Sequence, residues 1–157
     1  MLALYKVILI PLDGSPLAEK ALPHAAEIAR RFGARLTLFA VIESYQVYPQ
    51  PGVVGPILSV QFNIDEEVAK TREYLRGFAD KLRADGIDVV IEVHQGDPAA
   101  EICDYAKSIG ADLIVMSTHG RSGIRRWVYG SVADRVLRSS NVPVLLVRTL
   151  GDEEETE

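Results

Sequence analysis

Two short stretches of this chain carry side chains and backbone suited to chemistry. The first is Pro11-Leu12-Asp13-Gly14-Ser15-Pro16, which puts a single carboxylate, Asp13, where an apolar run ends. A carboxylate there can accept hydrogen bonds from a ribose or a base, or hold a cation through water. Asp13-Gly14 is equally the pair of an ordinary turn. The second stretch is Ser117-Thr118-His119-Gly120-Arg121-Ser122-Gly123, followed after six residues by Gly130-Ser131. Gly120 and Gly123 free the backbone to curl, so that successive N–H groups can converge as an anion nest. Gly130-Ser131 opens a helix whose first amides and dipole favour a phosphate, with the Ser131 hydroxyl at hand. Arg121, Arg125 and Arg126 lie between these two features and can offset negative charge. The same residues also suit a glycine-rich turn with an ordinary serine cap.

Other reactive side chains carry less. His119 adjoins the nest and suits a phosphate ligand or an acid/base, although a histidine beside glycine more often packs or caps. His24 falls on a helix surface and His94 at a strand end, neither with an evident partner. Cys103 lies on the apolar stripe of a helix and reads as an inert core thiol. Trp127 and Tyr129 read as packing or interface residues. No base is evident that would position a water, so catalytic residues are not expected and hydrolysis should be slow at most.

These stretches are placed by an alternation of strands and helices. Lys6 to Pro11 is a nearly continuous apolar run, as in a parallel strand buried on both faces. Ser15 with Pro16 opens a helix ending near Gly33, and Pro23 should kink or restart it. Strand two is Leu36 to Ile42, and a helix from about Ile64 to Asp85 has Val68, Leu75, Phe78 and Leu82 on one face. Strand three is Val89 to Val93. Asp97-Pro98 repeats the cap-plus-proline device before a helix striped by Ala99, Ile102, Cys103, Ala106 and Ile109. Leu113 to Met116 is strand four, a helix covers about Ser131 to Ser140, and Val144 to Val147 is strand five. The pattern calls for one doubly wound α/β domain over 1–149, a parallel sheet with helices on both faces and right-handed crossovers. Ligands of such sheets bind beyond the carboxyl ends of the strands, where the strand order reverses. Segment 43–63, with Pro49, Pro51 and Pro56, reads as a long loop, either a lid, a partner surface or a plain insertion.

Composition narrows the class. Of 157 residues, 48% are hydrophobic and 25% charged, the balance of a globular domain. The net charge of -5 arises in the tail: without its five acids, the rest of the chain has 17 acids against 17 bases. A neutral body argues against nucleic acid as a partner, and residues 150–157 read as an acidic, disordered end. No apolar run approaches the roughly 18–20 residues that span a bilayer, so no membrane association is expected. The first six residues show no basic export signal, and Cys103 is the single cysteine. A cytoplasmic protein is expected.

The combination of segments resembles the universal stress proteins over roughly residues 4 to 148. It is carried by Val7-Ile8-Leu9-Ile10-Pro11-Leu12-Asp13-Gly14-Ser15, Gly96-Asp97-Pro98, the run from Leu113 to Gly123, Gly130-Ser131-Val132, and Pro143 to Arg148. The ATP-binding branch of that family has a motif G-x2-G-x9-G-[S/T]. Here Gly120 takes the second position and Gly130-Ser131 the last pair, while Ser117 replaces the first glycine. The resemblance implies a five-stranded parallel sheet in the order 3-2-1-4-5, with the switch point between strands one and four. It also implies that Pro11, Leu12, Asp13 and Val41 line the adenine and ribose end, with Met116 and Ser117 beneath. Gly120, Gly130, Ser131 and Val132 would hold the phosphates of ATP, ADP or AMP, flanked by His119, Arg121 and Gly123, with Mg²⁺ or Mn²⁺ on them.

Receiver, flavodoxin-type, Walker and dinucleotide sites are not matched by residue. The order also sets Val144, Leu145, Leu146 and Val147 at a sheet edge, an apolar strand with no charge to blunt it, which predicts a homodimer across a two-fold axis. The function expected is a nucleotide-binding, stress-response regulator. Its alternative is a nucleotide-independent interaction protein of the same fold, or a slow ATPase, with a protein partner the chain does not name.

Overall fold

An alternating pattern of side chains on buried strands demands two covers, one for each face, and this chain supplies both. The computed structural model describes residues 3–44, 56–118 and 130–148, with backbone alone for 56–62. The elements run β1 (Val7–Pro11), α1 (Pro16–Glu19), α2 (Leu22–Phe32), β2 (Arg35–Glu43), α3 (Pro56–Ala84), β3 (Val89–Gly96), α4 (Pro98–Ser108), β4 (Leu113–Ser117), α5 (Ser131–Ser139) and β5 (Val144–Val147). All strand pairs are parallel, in the order β3-β2-β1-β4-β5. This is the expected α/β sheet, with its reversal between β1 and β4. Among the described residues no helix is long and apolar enough to cross a membrane.

The period-two alternation of the strands sorts their side chains into two layers. Ile8, Ile10, Leu36, Leu38 and Val115 pack with Ala25, Ala29, Leu75 and Ala79 on the α1–α3 side. Leu9, Phe39, Ile114 and Met116 pack with Ile102, Ala106, Ala133 and Val136 on the α4–α5 side. The central strands are thus apolar on both faces because both faces are covered.

Local signals act where they stand in the sequence. Ser15 caps α1 by accepting the Ala18 N–H at 3.1 Å, and Pro23, at the second position of α2, marks a restart rather than a kink. Gly33 ends α2 at φ +65°, a left-handed conformation that disfavours other residues.

Two boundaries differ from expectation. β3 continues through His94 and Gln95 to Gly96, because β2 offers it a ladder as far as Glu43. The helix expected from about Ile64 begins at Pro56, so all of 56–63, read above as loop, is helix. Three prolines suggest loop throughout, yet proline is tolerated in a first helical turn, where its missing N–H would have no partner. Residues 45–55 of that segment, Thr149 and the acidic tail 150–157 lie outside the described residues.

Candidate functional site

The carboxyl ends of β1, β2 and β4 open into one cavity of about 740 Å³. β1 delivers Pro11, Leu12 and Asp13 to it, β2 delivers Val41, and β4 delivers Met116 and Ser117. Gly130, Ser131 and Val132 enter from the start of α5. Nine residues singled out from the sequence therefore line one cavity. His119, Gly120, Arg121 and Gly123 lie outside the described residues.

Asp13 is held by the turn it belongs to. The Ser15 N–H and hydroxyl both donate to its Oδ1, at 2.9 and 2.6 Å, and Gly14 takes φ +84° to make the bend. The turn reading and the ligand reading coexist: the turn aims a carboxylate whose residue lines the cavity.

At the opposite end, Gly130 donates its N–H to the Thr118 carbonyl at 2.5 Å, and the Thr118 N–H donates to the Val147 carbonyl at 3.0 Å. The chain thus re-enters beside the point where β4 ends. Gly130 is the N-cap of α5, with no side-chain cap bond, and Ser131 is the first helical residue. The ordinary serine cap is therefore not what this sequence makes. First-turn amides of a helix have no acceptor within it, and here they stand at the cavity wall with the positive end of the α5 dipole.

Sequence reasoning misses one wall. Asn63, Glu67, Lys70, Thr71 and Tyr74 of α3 also line the cavity. They recur at the three- and four-residue spacing of one helix face, a polar row beside the apolar one. That row is the signal that could have found them. Phe39, Ala40, Pro98 and Ile102 are among the apolar residues of the lining.

The electrostatics among the described lining residues are acidic. Asp13, Glu43 and Glu67 face one amine, Lys70, which pairs with Glu66 at 2.7 Å. That hydrogen bond and charge push the Lys70 pKa up, so it stays protonated. The Tyr74 hydroxyl donates to Glu19 Oε1 at 2.7 Å. Burial first, then Glu19, then the charge of Asp13 push the phenol well above its ordinary value. Tyr74 therefore stays protonated as a donor to Glu19 and does not serve as a base.

His94, expected without a partner, has one: its Nδ1 lies 3.0 Å from Glu101 Oε2. The ring also sits edge-on to Phe39 and Tyr105, with centroids 5.0 and 4.8 Å away. The partner comes from α4, seven residues on and across a layer, where no strand pattern points. Cys103 is half-buried beside the lining residue Ile102, and burial raises its thiol pKa, the behaviour of an unreactive thiol. His24 is exposed on α2.

The pattern of the Universal stress protein family matches residues 4–148. A universal stress protein of Methanocaldococcus jannaschii is 36% identical over 145 residues, covering 92% of this chain and 83% of that protein. The structure of a universal stress protein from Lactobacillus plantarum is similar with a TM-score of 0.81 at 28% identity, covering 92% of this chain and 98% of the other. A universal stress protein solved in complex with cAMP gives a TM-score of 0.68 at 26% identity, covering 93% and 98%.

Proposed function

Since the chain belongs to the universal stress protein family, we propose that it is a cytoplasmic stress-response regulator whose cavity binds an adenine nucleotide, ATP foremost. The observation that carries this reading is the cavity's division of labour. An apolar slot of Val41, Phe39 and Met116 suits a purine, Asp13 suits a ribose, and the α5 N-terminus suits a phosphate. The cAMP complex of a similar protein supports adenine as the base. Three lining carboxylates against one amine disfavour a bare polyphosphate, so the triphosphate should enter with Mg²⁺ or Mn²⁺. Asp13, Glu43 and Glu67 are the lining carboxylates that could attract that cation. In this reading the nucleotide is bound rather than turned over, with hydrolysis slow or absent.

Native mass spectrometry of the protein as purified is the direct test. An added mass matching ATP, ADP or AMP is expected. Protein of bare mass that stays bare in millimolar ATP with Mg²⁺ would transfer the function to the alternative, a nucleotide-independent interaction protein of the same fold.

The proposed assembly is a homodimer through β5. The strand is a sheet edge of four apolar residues, with Leu145 38% exposed. An edge of that kind pairs with its own copy across a two-fold axis. Sedimentation at tens of micromolar should give a dimer for wild type. Leu145→Lys should give a monomer, because an edge lysine opposes pairing. A wild-type monomer, or a variant that remains dimeric, contradicts this interface.

A further inference from the structure

Asp97 and Arg135 are 38 residues apart in the sequence and meet beside the cavity. Asp97 is the N-cap of α4, its Oδ2 accepting the Ala100 N–H at 3.0 Å. The same carboxylate accepts both prongs of the Arg135 guanidinium, Nη1 to Oδ1 at 2.9 Å and Nη2 to Oδ2 at 2.7 Å. Arg135 lies one turn into α5, behind Gly130 and Ser131 of the cavity wall, and Asp97 precedes Pro98 of the same wall.

Helix α5 is short, and its buried residues are only Ala133 and Val136. That face, with Val132 packed partly beside it, leaves the axial position of the helix to few contacts. A planar fork on a carboxylate, in contrast, is satisfied in one geometry. The pair is about half exposed, with side chains at 54% and 48%, so it adds little to stability. Its value lies in direction. The Arg135 guanidinium, followed by the Ala100 amide, holds the Asp97 carboxyl below its ordinary range, so the bridge is intact at neutral pH.

We propose that Asp97 and Arg135 are positioning residues for the anion end of the cavity, their bridge setting the axial register of α5 so that its first-turn amides meet a phosphate. This rests on the nucleotide reading above and names the device that makes it selective for phosphorylated ligands. Gly96 sets the backbone that enters Asp97. At φ +147° it carries no side chain, and a Cβ there would meet Glu101 Oε1 at 2.9 Å, so the approach to Asp97 favours glycine.

The test is calorimetric titration of wild type, Asp97→Asn and Arg135→Lys with ATP–Mg²⁺ and, separately, with adenosine. Asparagine remains a good N-cap without the charge, and lysine keeps the charge without the fork. Both variants should bind ATP about tenfold more weakly, the equivalent of one weakened charge-assisted hydrogen bond, with adenosine affinity unchanged. Equal losses for both ligands, or no loss at all, overturn the proposal. In the nucleotide-free protein the amide resonances of Ser131 and Val132 should move in Arg135→Lys while the melting temperature stays near wild type. Unmoved amides with intact ATP binding sink the positioning role alone. If wild type binds no ATP, the nucleotide reading itself fails and the phosphate selectivity proposed here fails with it.

Discussion

Saturating ATP with Mg²⁺ is expected to raise the melting temperature of the protein by roughly 5–10 °C, and to leave Gly130→Val where it was. A ligand that binds only the folded state at about 100 times its dissociation constant stabilises it by about 2.7 kcal/mol. For a domain of this length each kcal/mol is worth about 2–4 °C. Gly130 lines the cavity as the N-cap of α5, and its N–H is engaged by Thr118. A branched side chain there occupies the space a phosphate needs to approach the backbone. The unliganded melting temperature serves as the control, because Gly130 takes φ −46° and a valine is not forced into the left-handed region. Differential scanning fluorimetry with and without nucleotide reads both numbers. An equal shift in Gly130→Val places the phosphate elsewhere.

Replacing Phe39 with alanine should be among the most damaging single changes, at about 3–5 kcal/mol, or a fall in melting temperature of roughly 6–20 °C. Phe39 is fully buried on β2. Its ring stacks on Tyr105 at 4.7 Å with an interplanar angle of 17°, and meets His94 edge-on. Truncation would lose the burial, open a cavity and leave both rings without their neighbour. Because Phe39 also lines the site, the same variant should lose nucleotide affinity. Urea unfolding with matched slopes checks the magnitude. A cost below about 1 kcal/mol would show that the α4 layer collapses around the gap, contrary to a close-packed core.

Much of this architecture is legible in the order of the residues, and the reason is that its signals are local. The continuous apolar runs of β1 and β4 announce strands covered on both faces, and two layers do cover them. Ser15-Pro16 and Asp97-Pro98 open helices where a cap and a fixed φ act within three residues. Pro23 restarts a helix, and Gly33 stops one, through their own backbone preferences. Asp13 is recognisable as a residue of interest because its position after a strand and before a capped helix is a local fact. Local pattern does not say whether that aspartate serves a turn or a ligand. The family resemblance, rather than periodicity, supplies the strand order and the grouping of the β1 and β4 loops.

The type of each element, its punctuation, and the loops that carry unusual residues thus follow from the chain alone. Packing in three dimensions decides how α3 reaches back to Pro56 and turns Asn63, Glu67, Lys70 and Tyr74 toward the strand ends. It also decides that His94 meets Glu101, that Tyr74 reaches Glu19, and that Arg135 closes on Asp97. Each of these pairs joins different elements, and each depends on parallel register and on the rotation of a helix about its axis. Cap chemistry and φ preferences act across a few residues, so a sequence displays them. Register and rotation are settled by contacts between elements, through faces that bury against one another and side chains that bridge them, so no short stretch of sequence displays them.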